Sequence, residues 1–462
     1  MKKVLCLMLS ILLLFACPAF AEEDEPAEGF DLAAIDEDFV YVFNLKDPSR
    51  SVCGLEKNAD EKCYPASTTK ILTCIIALEN GDLAEEVKVA SAADSDRIGG
   101  TTAGIHKNEV YTLEELLYGM MLPSGNDCAT AIAFHLGGSL EGFADMMNEK
   151  AADLGMEHSH FVTPSGLHRD EHYTTARDMA LLTAYAMQNE TFRTIVGTAE
   201  THIQSKSGGD IRLRSSNRFL RNYVATTYKP ESVLYEEAIG VKTGETNQAG
   251  KCLIAAARRQ NAEYGAVLLH GTMPPSRLAA GKKKDAYSTR RYKDARKLLE
   301  YAFDHDIATL TAAELAARGL ETDLSVTSPK QQPELLSAEL SIDWDSAEPF
   351  SAPVYSFPAA LFSGEDPNAW LTVSYSGEPF APDAVVGSAQ VTIDGTVYFT
   401  APVVCRAVVL PTPTPSPSPT PRPTPTAPPT VGVEAISFET PAPQSTQPPR
   451  SFWDFLSCAP RG

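Results

Sequence analysis

Pro65-Ala66-Ser67-Thr68-Thr69-Lys70 stands directly before an apolar run that reaches Glu79. Thr69 to Glu79 has the length and apolar content of a buried helix. In a helix, positions i and i+3 share a face, so Lys70 can touch Ser67. The helix N-terminus favours negative charge developing on the serine oxygen. A serine is a poor nucleophile until a base takes its proton. A lysine serves as that base if burial and a nearby cation depress its pKa. Ser67-Thr68-Thr69-Lys70 is the only S-x-x-K in the chain. Short motifs of this kind are common, and an N-capping serine beside a surface lysine would look the same.

Further helix and strand signals lie on either side. Phe39-Val40-Tyr41-Val42-Phe43 is strand-like, and Thr112 to Met121 and Asp127 to Leu136 read as helices. Gly137-Gly138 ends one helix, and Ser139 with Gly142 opens the next. Ala238 to Thr243, Cys252 to Ala257 and Tyr264 to Leu269 are three strand-like runs with short connectors, which implies antiparallel neighbours. Tyr292 to Phe303 reads as an amphipathic helix. The fold class expected is α/β, helices packed on an antiparallel sheet, over residues 22–312. The texture then changes. Leu371 to Tyr375, Ala389 to Ile393 and Val397 to Phe399 alternate as strands do, and Asp394-Gly395 is a hairpin turn between the last two. A small all-β domain is therefore expected over 320–410.

Two more motifs carry chemistry. Ser124-Gly125-Asn126 follows Leu122-Pro123 and opens the helix at Asp127. Ser124 there can relay a proton between Lys70 and a leaving amine, and Asn126 can hold a substrate amide. Ser215-Ser216-Asn217 shows how readily such a triplet arises. Lys242-Thr243-Gly244 ends a strand-like run and is followed by Glu245. A cation beside a hydroxyl suits a substrate carboxylate. Gly244 removes a side chain where a ligand backbone would approach. An edge strand here can pair with an extended peptide, and the backbone N–H groups of Ser67 and Glu245 can form an oxyanion hole.

S-x-x-K, S-D-N and K-T-G, in this order, are the signature of class A β-lactamases and penicillin-binding proteins, and Ser124-Gly125-Asn126 stands here in the place of the second. The flanks narrow it. Pro65 to Lys70, Tyr111 to Gly119, Ser124 to Asp127, Met147 to Ala151, Leu154 to Met156, Phe161 to Leu167, Thr174 to Ala180 and Gly240 to Gly244 together resemble the low-molecular-mass penicillin-binding proteins, the serine D-Ala-D-Ala carboxypeptidases. The likeness runs from about 35 to 305 and continues more faintly through Ala381-Pro382, Gly387 and Asp394-Gly395. It implies a penicillin-binding/β-lactamase-like transpeptidase fold, action on peptidoglycan peptide stems, inhibition by β-lactams, and no cofactor or metal. It implies Ser67 as nucleophile, Lys70 as base, Ser124 and Asn126 for proton relay and amide binding, and Lys242 and Thr243 for the carboxylate. Arg291, ahead of Leu298-Leu299 and just before the final helix, matches an arginine that would complete the carboxylate receptor. Thr163 stands where the family often has Asn, and Glu245 where an aromatic residue or His is common.

The ends of the chain set the context. Lys2-Lys3, the apolar Val4 to Phe15 and Ala19-Phe20-Ala21 have the layout of a secretory signal peptide over residues 1–21. The apolar run is short for a membrane span, and Cys17 offers a lipoprotein reading, though Phe15 is bulky for that pattern. Export to the wall or the outer face of the membrane is the expectation. Pro411 to Thr430 is a Pro-Thr-Ser tract, an extended linker over 411–431 that at ~3.1 Å per residue reaches roughly 60 Å. A polar tail, 432–462, contains Phe452 to Leu456 but no evident amphipathic anchor, which leaves attachment to wall or membrane open. A net charge of −21 argues against a nucleic-acid partner. Of nine cysteines, Cys6 and Cys17 leave with the signal, and the remaining seven are an odd, scattered set rather than a disulfide framework. Cys53 and Cys63 are near enough to pair across a hairpin, whereas Cys74 and Cys128 read as buried thiols.

Three rival readings compete for the same residues. A β-lactamase shares the acylation step but needs a carboxylate to drive water onto the ester, and no Glu stands in such a context. A silent wall-binding or sensor protein would not need all three motifs. His158, His160, His168 and His172, with Asp170 and Glu171, have the composition of a zinc site, but they lie within the stretch that resembles the serine enzymes.

Overall fold

The computed structural model describes residues 29–222, 231–272, 284–327, 337–362, 365–375 and 381–409. The N-terminal basic and apolar segment, the Pro-Thr-Ser tract and the tail lie outside the described residues. The chain divides into two compact units. One comprises residues up to Ala256 together with Gly265–Ala302, the other Ala257–Tyr264 together with residues from Phe303 on.

The first unit is built on a five-stranded sheet. Its members are β1 (Glu37–Asn44), β2 (Glu56–Lys57), β7 (Ala238–Thr246), β8 (Gly250–Arg259) and β9 (Ala262–Gly271), in the order β2-β1-β9-β8-β7. Two- and three-residue connectors join β7, β8 and β9, so the three run antiparallel, as the short spacing predicts. This leaves β7, which carries Lys242-Thr243-Gly244, on the edge of the sheet. The other strands among the described residues of this unit are the antiparallel pair β3 (Glu86–Lys88) with β4 (Val110–Thr112) and the hairpin β5 (Glu200–Gln204) with β6 (Asp210–Arg214).

Among the described residues, six α-helices precede β7: α1 (Lys70–Asn80), α2 (Leu113–Met121), α3 (Asn126–Gly137), α4 (Leu140–Asp153), α5 (Ala176–Ala186) and α6 (Glu190–Gly197). Helix α1 is the hub. Every residue from Lys70 to Ala77 is buried, as expected of a helix that is apolar on all sides, and it packs against α2, α3, α4 and α5. Helix ends follow the local sequence. Thr112 and Glu115 form a reciprocal capping box at the start of α2. Ser139 Oγ accepts from Gly142 N–H at 2.9 Å and opens α4. The last long helix, α7 (Lys284–His305), begins eight residues before Tyr292, so Arg291 lies within it rather than ahead of it. From Tyr292 on, the apolar pattern gives the packed face of α7: Tyr292, Ala295, Leu298, Leu299, Ala302 and Phe303 are all buried.

Among the described residues no helix is long and apolar enough to cross a membrane. Cys63, Cys74, Cys128, Cys252 and Cys405 are buried free thiols. The Cys53–Cys63 bridge that spacing allows therefore does not form. The Cys63 backbone pairs instead with Thr174, over a hundred residues away, through N–H···O bonds of 2.8 and 2.9 Å.

The second unit contains β10 (Ile307–Leu310), the short helix α8 (Ala312–Ala317), β11 (Asp323–Thr327), β12 (Ser337–Ile342), β13 (Phe350–Pro353), β14 (Leu371–Tyr375), β15 (Val385–Ile393) and β16 (Thr396–Val409). Five of the strands form an antiparallel sheet in the order β11-β12-β16-β15-β14, and β10 pairs with β13. Ile393 pairs with Thr396 across Asp394 (φ +50°) and Gly395 (φ +80°). Positive φ at both central residues is the primed turn that an Asp-Gly pair predicts.

Candidate active site

Ser67 lies in a 3₁₀ turn, Ala66–Thr69, that runs straight into α1. Ala66 has φ +49°, a left-handed conformation uncommon for alanine. The turn is held by two side-chain hydroxyls, with Thr68 Oγ1 donating to Pro65 O at 2.7 Å and Thr69 Oγ1 to Ala66 O at 2.8 Å. Ser67 remains partly exposed while Lys70 is fully buried. Lys70 Nζ lies 3.0 Å from Ser67 Oγ, 2.7 Å from Asn126 Oδ1 and 2.7 Å from the carbonyl oxygen of Ser165. Two of these neighbours can only accept. A neutral amine has two N–H groups and one lone pair, so the two acceptors take both protons and the lone pair is left for the Ser67 hydroxyl. Burial and then the Lys242 charge hold the Lys70 pKa well below the ordinary lysine range, against an opposing pull from Asp127. The pair thus has the geometry a hydroxyl and its base require.

The second motif reaches the same point. Ser124 has φ +71° and is buried, and its hydroxyl makes no hydrogen bond among the described residues. Asn126 opens α3, with its Oδ1 on Lys70 and its Nδ2 donating to Gly99 O at 2.7 Å. Both ends of the carboxamide are therefore engaged within the protein. A substrate amide can be held by Asn126 only in exchange for one of these bonds. Asp127, fully buried, accepts from the N–H groups of Ala103, Gly104 and Ile105 at 2.9 to 3.2 Å. The first turn of α3 thereby fixes the loop from Gly99 to Ile105.

The third motif lies along edge strand β7. Lys242 is buried, its Nζ donating to Thr243 O at 3.0 Å. Burial, and after it the Arg291 charge, lower its pKa to about 7. Thr243 Oγ1 lies 2.7 Å from Ser216 Oγ. Arg291 reaches the strand from α7, its Nη1 donating to Gly244 O at 3.1 Å and Cys252 O at 2.9 Å. Three basic groups thus lie in series, the Arg291 charge depressing Lys242 and the Lys242 charge depressing Lys70. Glu245 is exposed and ion-paired with Lys251. At Gly244 a Cβ would meet Pro65 O at 3.0 Å and Ala66 Cβ at 3.2 Å. The close approach that favours glycine here is thus to the protein's own serine turn, not only to a ligand.

Residues 53–272 match the family model described as D-alanyl-D-alanine carboxypeptidase. The chain is 31% identical over 297 residues to the D-alanyl-D-alanine carboxypeptidase DacF of Bacillus subtilis, covering 63% of this chain and 72% of the relative. It is also 31% identical over 258 residues to the D-alanyl-D-alanine carboxypeptidase of a Streptomyces species, covering 54% and 81%. This chain belongs to the D-alanyl-D-alanine carboxypeptidase family. A penicillin-binding protein homolog from Mycobacterium tuberculosis has a similar structure, at TM-score 0.51 and 26% identity over 60% of this chain and 95% of that one. The fold class read from the motifs is the one these relatives share.

Several parts of this family member's site escape a reading of its motifs. The Ser165 carbonyl is a backbone group and carries no sequence signal beyond the match of Phe161 to Leu167. Ser216, from the Ser215-Ser216-Asn217 triplet, sits against Thr243. The histidines do not form a metal site. His172 is buried with both ring nitrogens occupied, and among the described residues only the surface group Asp94, Asp96 and His106 brings three such ligands together.

Gly166 yields a direct prediction. It has φ +78°, and a Cβ there would meet Ala66 O at 1.8 Å and Thr69 Oγ1 at 2.8 Å. Gly166→Ala is expected to cost about 1–3 kcal/mol of stability and to slow acylation by penicillin, because the strain falls on the turn that holds Ser67. Thermal melting and stopped-flow acylation check both effects. An alanine variant with wild-type values of each would show that the contact is soft.

Proposed function

We propose that the protein is a serine D-alanyl-D-alanine carboxypeptidase that removes the terminal D-alanine from peptidoglycan pentapeptide stems. The observation that carries this reading is the buried, charge-depressed Lys70 amine, 3.0 Å from the Ser67 hydroxyl, with its other two contacts on pure acceptors. Lys70 takes the Ser67 proton as the oxygen attacks the carbonyl of the penultimate residue. The resulting oxyanion is stabilised by the backbone N–H groups of Ser67 and Glu245. Ser124 passes the proton from Lys70 to the leaving amine, and D-alanine departs. Water then hydrolyses the ester, and Lys70 and Ser124 act in reverse. Asn126 keeps Lys70 aimed at Ser67. The stem peptide lies along edge strand β7, with its free carboxylate facing Lys242 and Thr243. A β-lactam enters the same chemistry, because its ring amide stands in for the D-Ala-D-Ala bond. The N-terminal segment supports export to the wall or the outer face of the membrane. Labelled penicillin, followed by peptide mapping, tests the assignment: the adduct belongs on Ser67, and an adduct elsewhere would refute it.

Arg291 completes the carboxylate receptor in this proposal. Its Nη1 is anchored on β7 and β8 through Gly244 O and Cys252 O, which holds the guanidinium against the strand that carries Lys242 and Thr243. Arg291→Ala is expected to cost about 2–4 kcal/mol in kcat/KM for peptides with a free C-terminus. The loss is expected to be much smaller for amidated analogues, which present no charge. Equal losses on both substrates would assign Arg291 to support of the sheet alone.

A further inference from the structure

The segment from Pro164 to Thr174 clasps the serine turn from one side. Ser165 O meets Lys70, Pro164 O accepts from Thr73 Oγ1 at 2.6 Å, Gly166 packs on the Ala66 carbonyl, and Thr174 pairs with Cys63. His172 stands within this clasp, 2% exposed, with its ring edge-on to Phe161. Its Nδ1 accepts from two backbone N–H groups, Val162 at 3.0 Å and Thr163 at 3.2 Å. A nitrogen that accepts two N–H bonds carries no proton, so the single ring hydrogen is on Nε2. That nitrogen lies 2.9 Å from Thr69 Oγ1. The Thr69 hydroxyl receives this hydrogen and directs its own to Ala66 O at 2.8 Å. Burial, and then the neighbouring His160 and His168, keep the imidazole pKa down at about 3, so this arrangement persists at any working pH. The end of the chain of bonds is Ala66, the residue in the left-handed conformation immediately before Ser67.

We propose that His172 is a positioning residue for the reaction: its Nε2–H orients the Thr69 hydroxyl onto the Ala66 carbonyl and so fixes the turn that presents Ser67 to Lys70. This rests on the assignment of Ser67 as nucleophile. His172 touches neither substrate nor Ser67. Its effect passes through one hydroxyl, and it acts on the placement of the attacking oxygen rather than on binding.

The test is single-turnover acylation of the full chain by a chromogenic penicillin, resolving the encounter dissociation constant from the acylation rate, with the folded fraction measured by thermal melting. Thr69→Val keeps the shape and removes the hydroxyl. His172→Asn can place its carboxamide oxygen where Nδ1 accepts, while its shorter amide leaves no donor at the Nε2 position. Both are expected to slow acylation by about 10- to 100-fold, the scale of a small misplacement of a reacting group, with the encounter constant unchanged. Thr69→Ser and His172→Gln, which restore the hydroxyl and the donor, are expected to recover most of the rate. The Thr69→Val/His172→Asn double variant is expected to be no slower than the slower single, because both break one chain of bonds. Wild-type acylation in Thr69→Val and His172→Asn would overturn the proposal. So would a loss confined to the encounter constant or matched by a fall in folded fraction. Ser67→Ala is the control: labelling of that protein refutes the nucleophile assignment itself, whereas a silent Ser67→Ala beside fully active Thr69→Val and His172→Asn variants refutes only the role of His172.

Discussion

A Ser67→Ala protein is expected to form no adduct with labelled penicillin and to turn over no peptide. Ser67 is the partly exposed hydroxyl nearest the buried Lys70 amine. Removing it leaves no oxygen to form the ester, and water cannot take its place in the same geometry. The fall in kcat is expected to be on the order of 10⁴-fold or more, as for other nucleophile deletions. The fold is expected to survive, since the lost group is a single hydroxyl with one contact to Lys70. Gel fluorography and peptide mapping read the outcome, and an undiminished adduct in the variant would rule out Ser67.

Lys70→Arg is the second variant with a very large expected effect. The argument depends on the proton count at Nζ. With Asn126 Oδ1 and Ser165 O accepting, only the neutral amine has a lone pair for Ser67. Desolvation and the adjacent Lys242 charge make that form accessible by depressing the pKa. Guanidinium does not lose its proton in proteins, and its larger planar head does not fit the fully buried position of the Lys70 amine. Acylation is expected to fall by roughly 10³-fold or more, the upper range for loss of a general base. The pH profile gives an independent sign. In the native protein acylation is expected to rise with pH as Lys70 loses its proton, at a pH well below the ordinary lysine range. In the arginine variant that rise is expected to vanish, with no recovery at alkaline pH. Wild-type-like acylation in Lys70→Arg would remove Lys70 from the role of base.

The parts of this molecule that were legible in the sequence are those in which the physics is local. Helix α1 announces itself because it is apolar on every side, and the Asp394-Gly395 turn because two residues tolerant of positive φ stand between alternating strands. The three strands that put Lys242 on a sheet edge follow from short connectors. The motifs brought Ser67, Lys70, Asn126 and Lys242 into one reading because their spacing and flanks match a known family. What was not legible depends on contacts between distant segments. Gly166 needs to be glycine, and Gly244 is favoured as one, because each packs on the turn at Ala66, about a hundred residues from the first and nearly twice that from the second. The Ser165 carbonyl that helps define the Lys70 proton count is a main-chain atom, which no residue type encodes. Asn126 looked like a ligand for a substrate amide, yet both ends of its side chain are occupied inside the protein. His172 drew attention as a metal ligand by composition, and its buried setting gives it two backbone donors and a threonine instead.

The most direct test of the central claim is to incubate the purified protein with a muropeptide bearing a pentapeptide stem and to follow the product by mass. The expected result is a tetrapeptide-stem product lighter by one alanine residue, with free D-alanine released in equal amount, and no conversion by the Ser67→Ala protein. A stem that keeps its terminal alanine under conditions where penicillin still acylates Ser67, or one cut at another bond, would contradict the assignment as a D-alanyl-D-alanine carboxypeptidase.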